Sequence, residues 1–238
     1  MIVLVGGEKG GVGKSVLAVH LAEARTGPIP KQDVALVDAD RQGSATMWAA
    51  ARVEAGIELA ARKGHGTLTV TQAHGPEVAE VARGLAEYHA DVVLDVPGRN
   101  SVELRAAMLV ADVLVLPVRI GTFDAWTLEG MESHVVAANA ARAEAGGGAL
   151  RALMVLNAVN LRATRRIAEA RDFLGGFSPT MELAAVVVGE RAAFDEAIGR
   201  GRTAREIVRK MPSPEWAASQ DIQKLAEEVY DNGNAESA

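Results

Sequence analysis

The sequence predicts an α/β fold, a mostly parallel twisted β-sheet flanked by helices on both faces. Short apolar, β-rich runs recur between longer stretches of helical character. Several of these runs, Val92-Val93-Leu94-Asp95 and Val113-Leu114-Val115-Leu116-Pro117-Val118 among them, are apolar without a period of two. Strands covered on both faces, as in a parallel sheet, read that way. With 238 residues, 49% of them hydrophobic and 24% charged, the chain can build one core. The expected organisation is a single domain over 1–230 and a flexible tail over 231–238.

In chain order, strands are expected at 1–5, 34–37, 67–70, 92–95, 113–118, 150–156 and 184–188. Helices are expected at about 15–25, 43–55, 76–89, 102–111, 124–145, 162–174 and 192–198. The glycine run 146–148 falls where a helix should end before a strand, so a turn accounts for it without a linker. Residues 210–214 break the pattern before a last helix near 215–230.

Composition removes several classes of function. The chain has no cysteine, which excludes disulfides, thiolate zinc sites, cysteine nucleophiles and cysteine-ligated iron–sulfur clusters. No HExxH-like histidine pair is present, so no protein-bound transition metal is expected. No run reaches the ~18 apolar residues of a spanning helix, and the first residues lack a basic start before an apolar stretch. The net charge of −6 argues against a protein that coats nucleic acid over its whole surface. Charge is nevertheless segregated: residues 151–210 hold 11 Lys/Arg against 7 Asp/Glu, a balance of +4, and the remainder carries −10. Solvated helix faces or a local basic face would both give this pattern.

The most specific signal follows the first strand, where Gly6-Gly7-Glu8-Lys9-Gly10-Gly11-Val12-Gly13-Lys14-Ser15 leads into a helix. In a P-loop, glycines let backbone N–H groups turn inward around phosphate oxygens, and the helix N-terminus adds the positive end of its dipole. Lys14 would neutralise the β- and γ-phosphates, and the Ser15 hydroxyl would bind Mg²⁺. The strict pattern wants glycine where this chain has Glu8; Gly10, Gly11 and Gly13 keep the loop flexible. Further on, Asp91-Val92-Val93-Leu94-Asp95-Val96-Pro97-Gly98 reads as an apolar strand delivering Asp95 to the metal, with Pro97 and Gly98 as a switch.

Lys9-Gly10-Gly11-Val12-Gly13-Lys14-Ser15 resembles the KGGxGK[ST] box of the deviant Walker A P-loop ATPases, the ParA/MinD superfamily. The likeness is closest to small plasmid-type ParA partition proteins without an N-terminal helix-turn-helix. It implies that Lys9 reaches across an ATP-sandwich homodimer to the partner's phosphates, although a solvated loop lysine would look the same. Asp38-Ala39-Asp40-Arg41-Gln42-Gly43 is similar to the family's DxDPQ switch I. That similarity implies that Asp38 supports the Mg²⁺ shell and that Asp40 positions the attacking water. Arg41 stands where the family usually has proline. Trp48 matches an aromatic of plasmid-borne members, and equally suits a core. Pro117 and Asp124 fit a later family segment in which Thr122 replaces a serine. Asn157 resembles the asparagine that reads adenine, and no Asn-Lys-x-Asp signature for guanine is present.

The resemblance therefore implies an ATPase with ATP and Mg²⁺ as cofactors, Lys9, Lys14 and Asp40 as catalytic groups, and Gly10, Gly11, Val12, Gly13, Lys14, Ser15 and Asn157 as nucleotide contacts. Ser15, Asp38 and Asp95 would serve the metal. Nonspecific double-stranded DNA is the implied partner of the ATP dimer. Its candidate contacts are Arg162, Arg165, Arg166, Arg191, Arg200, Arg202, Arg205, Arg209 and Lys210. A ParB-like or cargo-adaptor protein would stimulate hydrolysis and so drive partitioning or positioning of a plasmid, chromosome or protein cargo. The implied location is cytoplasmic, on the nucleoid in the ATP state. The acidic end of the chain lacks the basic amphipathic helix of membrane-recruited, MinD-like members, so no membrane partner is expected. The nitrogenase iron protein shares the box but needs cysteine ligands, which this chain lacks. The alternatives are a metabolic ligase of the dethiobiotin-synthetase type and a MinD-like positioning ATPase.

Overall fold

Seven strands form one sheet in the order β3-β2-β4-β1-β5-β6-β7, and all the pairings between them are parallel. They are β1 (Ile2–Val5), β2 (Val34–Asp38), β3 (Leu68–Gln72), β4 (Asp91–Asp95), β5 (Val113–Val118), β6 (Arg151–Val159) and β7 (Glu182–Gly189). The computed structural model describes residues 1–27, 32–57, 66–121 and 125–230. The helices are α1 (Lys14–Arg25), α2 (Ser44–Glu54), α3 (Glu77–Ala86), α4 (Val102–Met108), α5 (Ala125–Glu144), α6 (Thr164–Gly175), α7 (Ala192–Ile198) and α8 (Pro214–Tyr230).

The doubly apolar strands separate two cores. Leu4, Val92 and Leu94 face a layer built from α3, α4, α5 and α6. Val3, Val5 and Val93 face α1, α2, α7 and α8 on the other side. Residues of one strand alternate between these layers, which is why β1, β4 and β5 show no polar period. Each expected strand and helix is present, the strand at 113–118 and the helix at 192–198 with the expected ends and most of the others with ends shifted. β6 runs on to Val159, beyond the expected end at 156, and thereby carries Asn157 into the sheet. α4 begins behind Ser101, whose hydroxyl accepts from Leu104 N at 3.1 Å, and ends at Met108 rather than 111. Gly146 has φ of 72°, so the first glycine of the run supplies the left-handed turn that ends α5. The expected start of α5 at 124, the matches at Thr122 and Asp124, and the tail 231–238 lie outside the described residues.

A polar layer ties α1 and α2 to the segment between α7 and α8, where a short 3₁₀ turn at Arg205–Ile207 was not expected. The Arg52 and Glu206 side chains are 6% and 5% exposed and meet through two bonds of 2.7 Å. Burial alone would raise the Glu206 carboxyl; the Arg52 bonds and charge outweigh it and hold the group below its ordinary value. An Arg52→Ala protein is expected to lose about 3–5 kcal/mol of stability in urea unfolding, because Glu206 keeps its charge without its counter-ion. Nearby, His20 is buried: its Nδ1 donates to Val16 O at 2.7 Å and its Nε2 accepts from Ala204 N at 3.0 Å. Only a neutral ring can do both, in keeping with a pKa that burial lowers to about 4.

Candidate nucleotide-binding site

The sheet order reverses around β1, so the C-terminal ends of β1, β4 and β5 open a crevice of the kind that binds ligands in parallel α/β sheets. The glycine-rich loop fills the connection from β1 to α1. Gly11 and Gly13 have φ of 71° and 92°, a left-handed conformation that a side chain would strain. At Gly13 a Cβ would also lie 2.5 Å from Asn157 Nδ2, and that amide donates to Val12 O at 2.7 Å. The loop therefore rests on the end of β6. α1 starts directly at Lys14, so its first backbone N–H groups lie at the loop, where phosphate oxygens would accept them.

Strand register brings the carboxylates to the same level. Asp95 stands opposite Val5, the last residue before the loop, and opposite Asp38 on β2. Asp38 is fully buried, its Oδ1 accepting from Asp40 N at 3.2 Å and its Oδ2 from Thr46 N at 2.8 Å. Both oxygens of Asp95 are buried without a hydrogen-bond partner among the described residues. Burial raises its pKa to about 7, against a partial offset from the neighbouring Ser15 hydroxyl. Lys14 is 7% exposed, and its Nζ donates to Lys9 O at 2.7 Å. Burial lowers the Lys14 pKa, while the charges of Asp95 and Asp40 raise it. Gly98 closes over this group, since a Cβ there would fall 2.7 Å from Lys14 Nζ and 2.9 Å from Gly10 Cα.

An orphaned buried carboxylate, a second one in register and a serine at the helix start fit Mg²⁺. That ion is usually held by one or two carboxylates together with substrate phosphates and water. The pH dependence of stability tests the burial of Asp95. The folded-state pKa of Asp95 exceeds the ordinary 3.8, so the folded protein binds more protons between pH about 4 and about 7. As pH rises through that window the metal-free protein loses up to about 4 kcal/mol from this group. His20 acts oppositely: its folded value of about 4 lies below the ordinary 6.5, so its contribution is lost as pH falls between those values. The two offset each other in the total. The expected result is that Asp95→Asn stabilises the chelator-treated protein relative to wild type, by an increment that grows with pH up to about 7, read by urea unfolding.

The structure gathers Gly10, Gly11, Val12, Gly13, Lys14, Ser15, Asp40 and Asn157 around one cleft of about 580 Å³, with Asp38 and Asp95 at the strand ends beside Ser15 and Lys14. Lys9 lies on a narrower groove with Leu116, Pro117, Leu128 and Met131. The cleft also has a wall of Val188, Gly189, Glu190, Arg191, Phe194 and Asp195, of which the sequence singled out Arg191 for DNA rather than for the nucleotide. Arg119 spans the opening, with Nη1 3.4 Å from Gly11 O and Nη2 3.7 Å from Glu190. Ala158, at φ of 52°, is a strained alanine beside Asn157 in the same cleft. Trp48 is core, 3% exposed, and its indole N–H donates to Arg202 O at 3.0 Å.

The nine basic candidates do not form one surface. Arg162, Arg165 and Arg166 are exposed at the start of α6, and Arg200, Arg202, Arg209 and Lys210 line a separate concavity. Arg191 instead lines the nucleotide cleft, with its guanidinium on Asp221 at 2.8 Å. Arg205 is paired with the buried Glu23. Charge counting along the chain cannot see such pairings. Among the described residues no helix is long and apolar enough to cross a membrane.

Known proteins share this fold. Residues 1–174 match the family described as ATPase MipZ. A maintenance of carboxysome distribution protein A from Gloeobacter kilaueensis is 40% identical over 117 residues, covering 49% of this chain and 48% of that protein. The chain thus spans about half the length of the curated relative it matches. Among solved structures, the ATP complex of Cyanothece McdA(D38A) superposes with a TM-score of 0.68 at 14% identity, covering 96% of each chain. The Mg-ADP complex of the septum site-determining protein MinD from Pyrococcus horikoshii gives a TM-score of 0.66 at 17% identity, covering 98% of this chain and 97% of that one. The chain belongs to the MipZ family of ATPases, within the ParA/MinD superfamily of deviant Walker A P-loop proteins.

Proposed function

We propose that this chain is a positioning ATPase that binds ATP with Mg²⁺, closes into an ATP-sandwich dimer, binds DNA nonspecifically in that state and is released by partner-stimulated hydrolysis. One observation carries the reading. The signature Lys9 and Lys14 share a single loop, Lys14 turned inward onto the Lys9 carbonyl and Lys9 on the groove beside α5. Ser15, Asp38 and Asp95 would hold the metal, and Mg²⁺ would neutralise charge on the phosphates. Asp40, anchored through its own N–H to Asp38 and accepting from Gln42 N at 3.0 Å, would orient the attacking water. Asn157 would act first by holding the loop at Val12, at the edge of a cleft that would take the nucleoside.

Within this reading the cargo is a plasmid, a chromosome region or a protein assembly. The carboxysome named for the Gloeobacter relative favours a protein assembly moved over the nucleoid, with a cargo adaptor as the stimulating partner. The test is binding of the purified protein to random-sequence duplex DNA with ATP, with ADP and without nucleotide, at two salt concentrations. Tight binding only with ATP, weakening steeply with salt, is the expected outcome. Dimerisation on ATP without DNA binding in any state would remove the nucleoid from the cycle.

A further inference from the structure

Two helices that start at the phosphate end of the site close on the same short stretch of chain. α1 begins at Lys14, and near its far end Glu23 accepts from the Thr203 hydroxyl at 2.9 Å while His20 accepts from Ala204 N. α2 begins just after switch I, tied to Asp38 through Thr46 N. Trp48 in its middle donates to Arg202 O at 3.0 Å, and Arg52 in its last turn donates to Gly201 O at 3.1 Å while gripping Glu206. Gly201, at φ of 63°, lies so close that a Cβ would fall 2.2 Å from Arg52 N. The backbone of 201–206 is therefore clamped between the two helices. The same stretch and its flanks carry Arg200, Arg202, Arg209 and Lys210 around one concavity that Glu196, Glu206 and Glu215 also line, with Arg200 paired to Glu196 at 3.1 Å.

We infer that the 201–206 segment is a relay, in which a shift of α1 or α2 at the nucleotide end re-aims the basic edge at 200–210. The inference rests on the proposed function only for what the basic edge would touch, the phosphates of duplex DNA. Short bonds to backbone carbonyls and a buried forked ion pair tolerate little sliding, so the segment must follow the helices or break its bonds to them. α2 thus serves two jobs: its first turn is tied to Asp38 at the metal side, and its middle and last turn hold 201–206 at the basic side. Trp48, Arg52 and Glu206 are positioning residues, and the nucleotide is felt at 200–210 through them.

The experiment is amide hydrogen exchange over 199–210 in the full chain with Mg-ATP, with Mg-ADP and without nucleotide, alongside binding to a random-sequence duplex. Trp48→Phe keeps the aromatic packing and deletes one donor; Glu206→Gln weakens the ion pair, and Trp48→Phe decides alone if that second protein does not fold. Wild type is expected to show an ATP-versus-ADP exchange difference in this stretch that falls about fivefold or more in the variants, with ATP affinity kept within about twofold. Equal exchange in ATP and ADP for wild type, or an undiminished difference in both folded variants, overturns the relay. A responsive stretch in a protein that binds no DNA overturns the DNA reading and leaves the relay standing. ATP-dependent DNA binding with an unresponsive stretch does the reverse.

Discussion

Lys14→Ala is expected to lower kcat/KM for ATP hydrolysis by about 10³-fold or more, with the fold intact. Lys14 is the buried cation of the loop, at 7% exposure, and its Nζ already sits on a backbone carbonyl where a phosphate oxygen would compete for it. A preorganised donor in a water-poor site is worth about 10²–10³ in rate, and a full charge against transferring phosphate exceeds that. Arginine should not rescue the loss. Gly98 lies close over the ammonium, since a Cβ there would fall 2.7 Å from Lys14 Nζ, and a broader planar guanidinium would not reproduce this point-charge contact. Removing Lys14 also removes one of the influences that lower the Asp95 pKa, so the variant should need a higher pH to bind Mg²⁺. Steady-state kinetics and a Mg²⁺ titration at two pH values check both parts. Near-wild-type turnover in Lys14→Ala would remove this lysine from the reaction.

The fold was legible because a parallel sheet leaves a direct trace: its central strands are apolar on both faces, and each crossover needs a helix. The loop was legible because left-handed glycines and a lysine at fixed spacing are dictated by phosphate geometry, as Gly11, Gly13 and Lys14 show. Asp38 and Asp95 could be placed together since both end apolar strands, and the β2–β4 register sets them opposite each other. Less was legible where residues far apart in sequence meet. Arg119 after β5, the strained Ala158 in β6 and Phe194 on α7 enter the cleft from separate elements with no local spacing to announce them. The basic residues of 151–210 looked like one set. Folding divides them, since Arg191 and Arg205 pair with the largely buried Asp221 and Glu23, whereas Arg165 and Arg200 pair with exposed glutamates four residues away in the chain. Trp48 fitted two readings in sequence; its buried indole bonded to Arg202 O makes it a packing and positioning residue.

Lys9→Ala is expected to separate nucleotide binding from association: ATP should still bind each protomer, within about threefold of wild type, while the ATP-dependent dimer weakens by at least about 30-fold. The side chain leaves a loop whose root is fixed on both sides. Glu8 is held by His134 on α5 through a 3.0 Å contact, and the Lys9 carbonyl is engaged by Lys14. Glu8, an exception to the strict glycine pattern, is thereby an anchor to α5. In a sandwich dimer two sets of phosphates face each other, and that repulsion must be countered by cations from the opposite subunit. Truncating one partner of a buried charge pair costs about 2–5 kcal/mol, and the variant dimer loses two such partners, so the weakening should exceed the roughly 30-fold that a single loss of about 2 kcal/mol gives. DNA binding should fall with the dimer, since a single basic edge carries half the phosphate contacts and affinity depends on their number. Sedimentation of wild type, Lys9→Ala and Lys14→Ala with ATP checks the argument, because Lys14→Ala should fail already at nucleotide binding. A Lys9→Ala protein that dimerises on ATP as tightly as wild type would assign association to another surface, the groove along α5 being the next to examine.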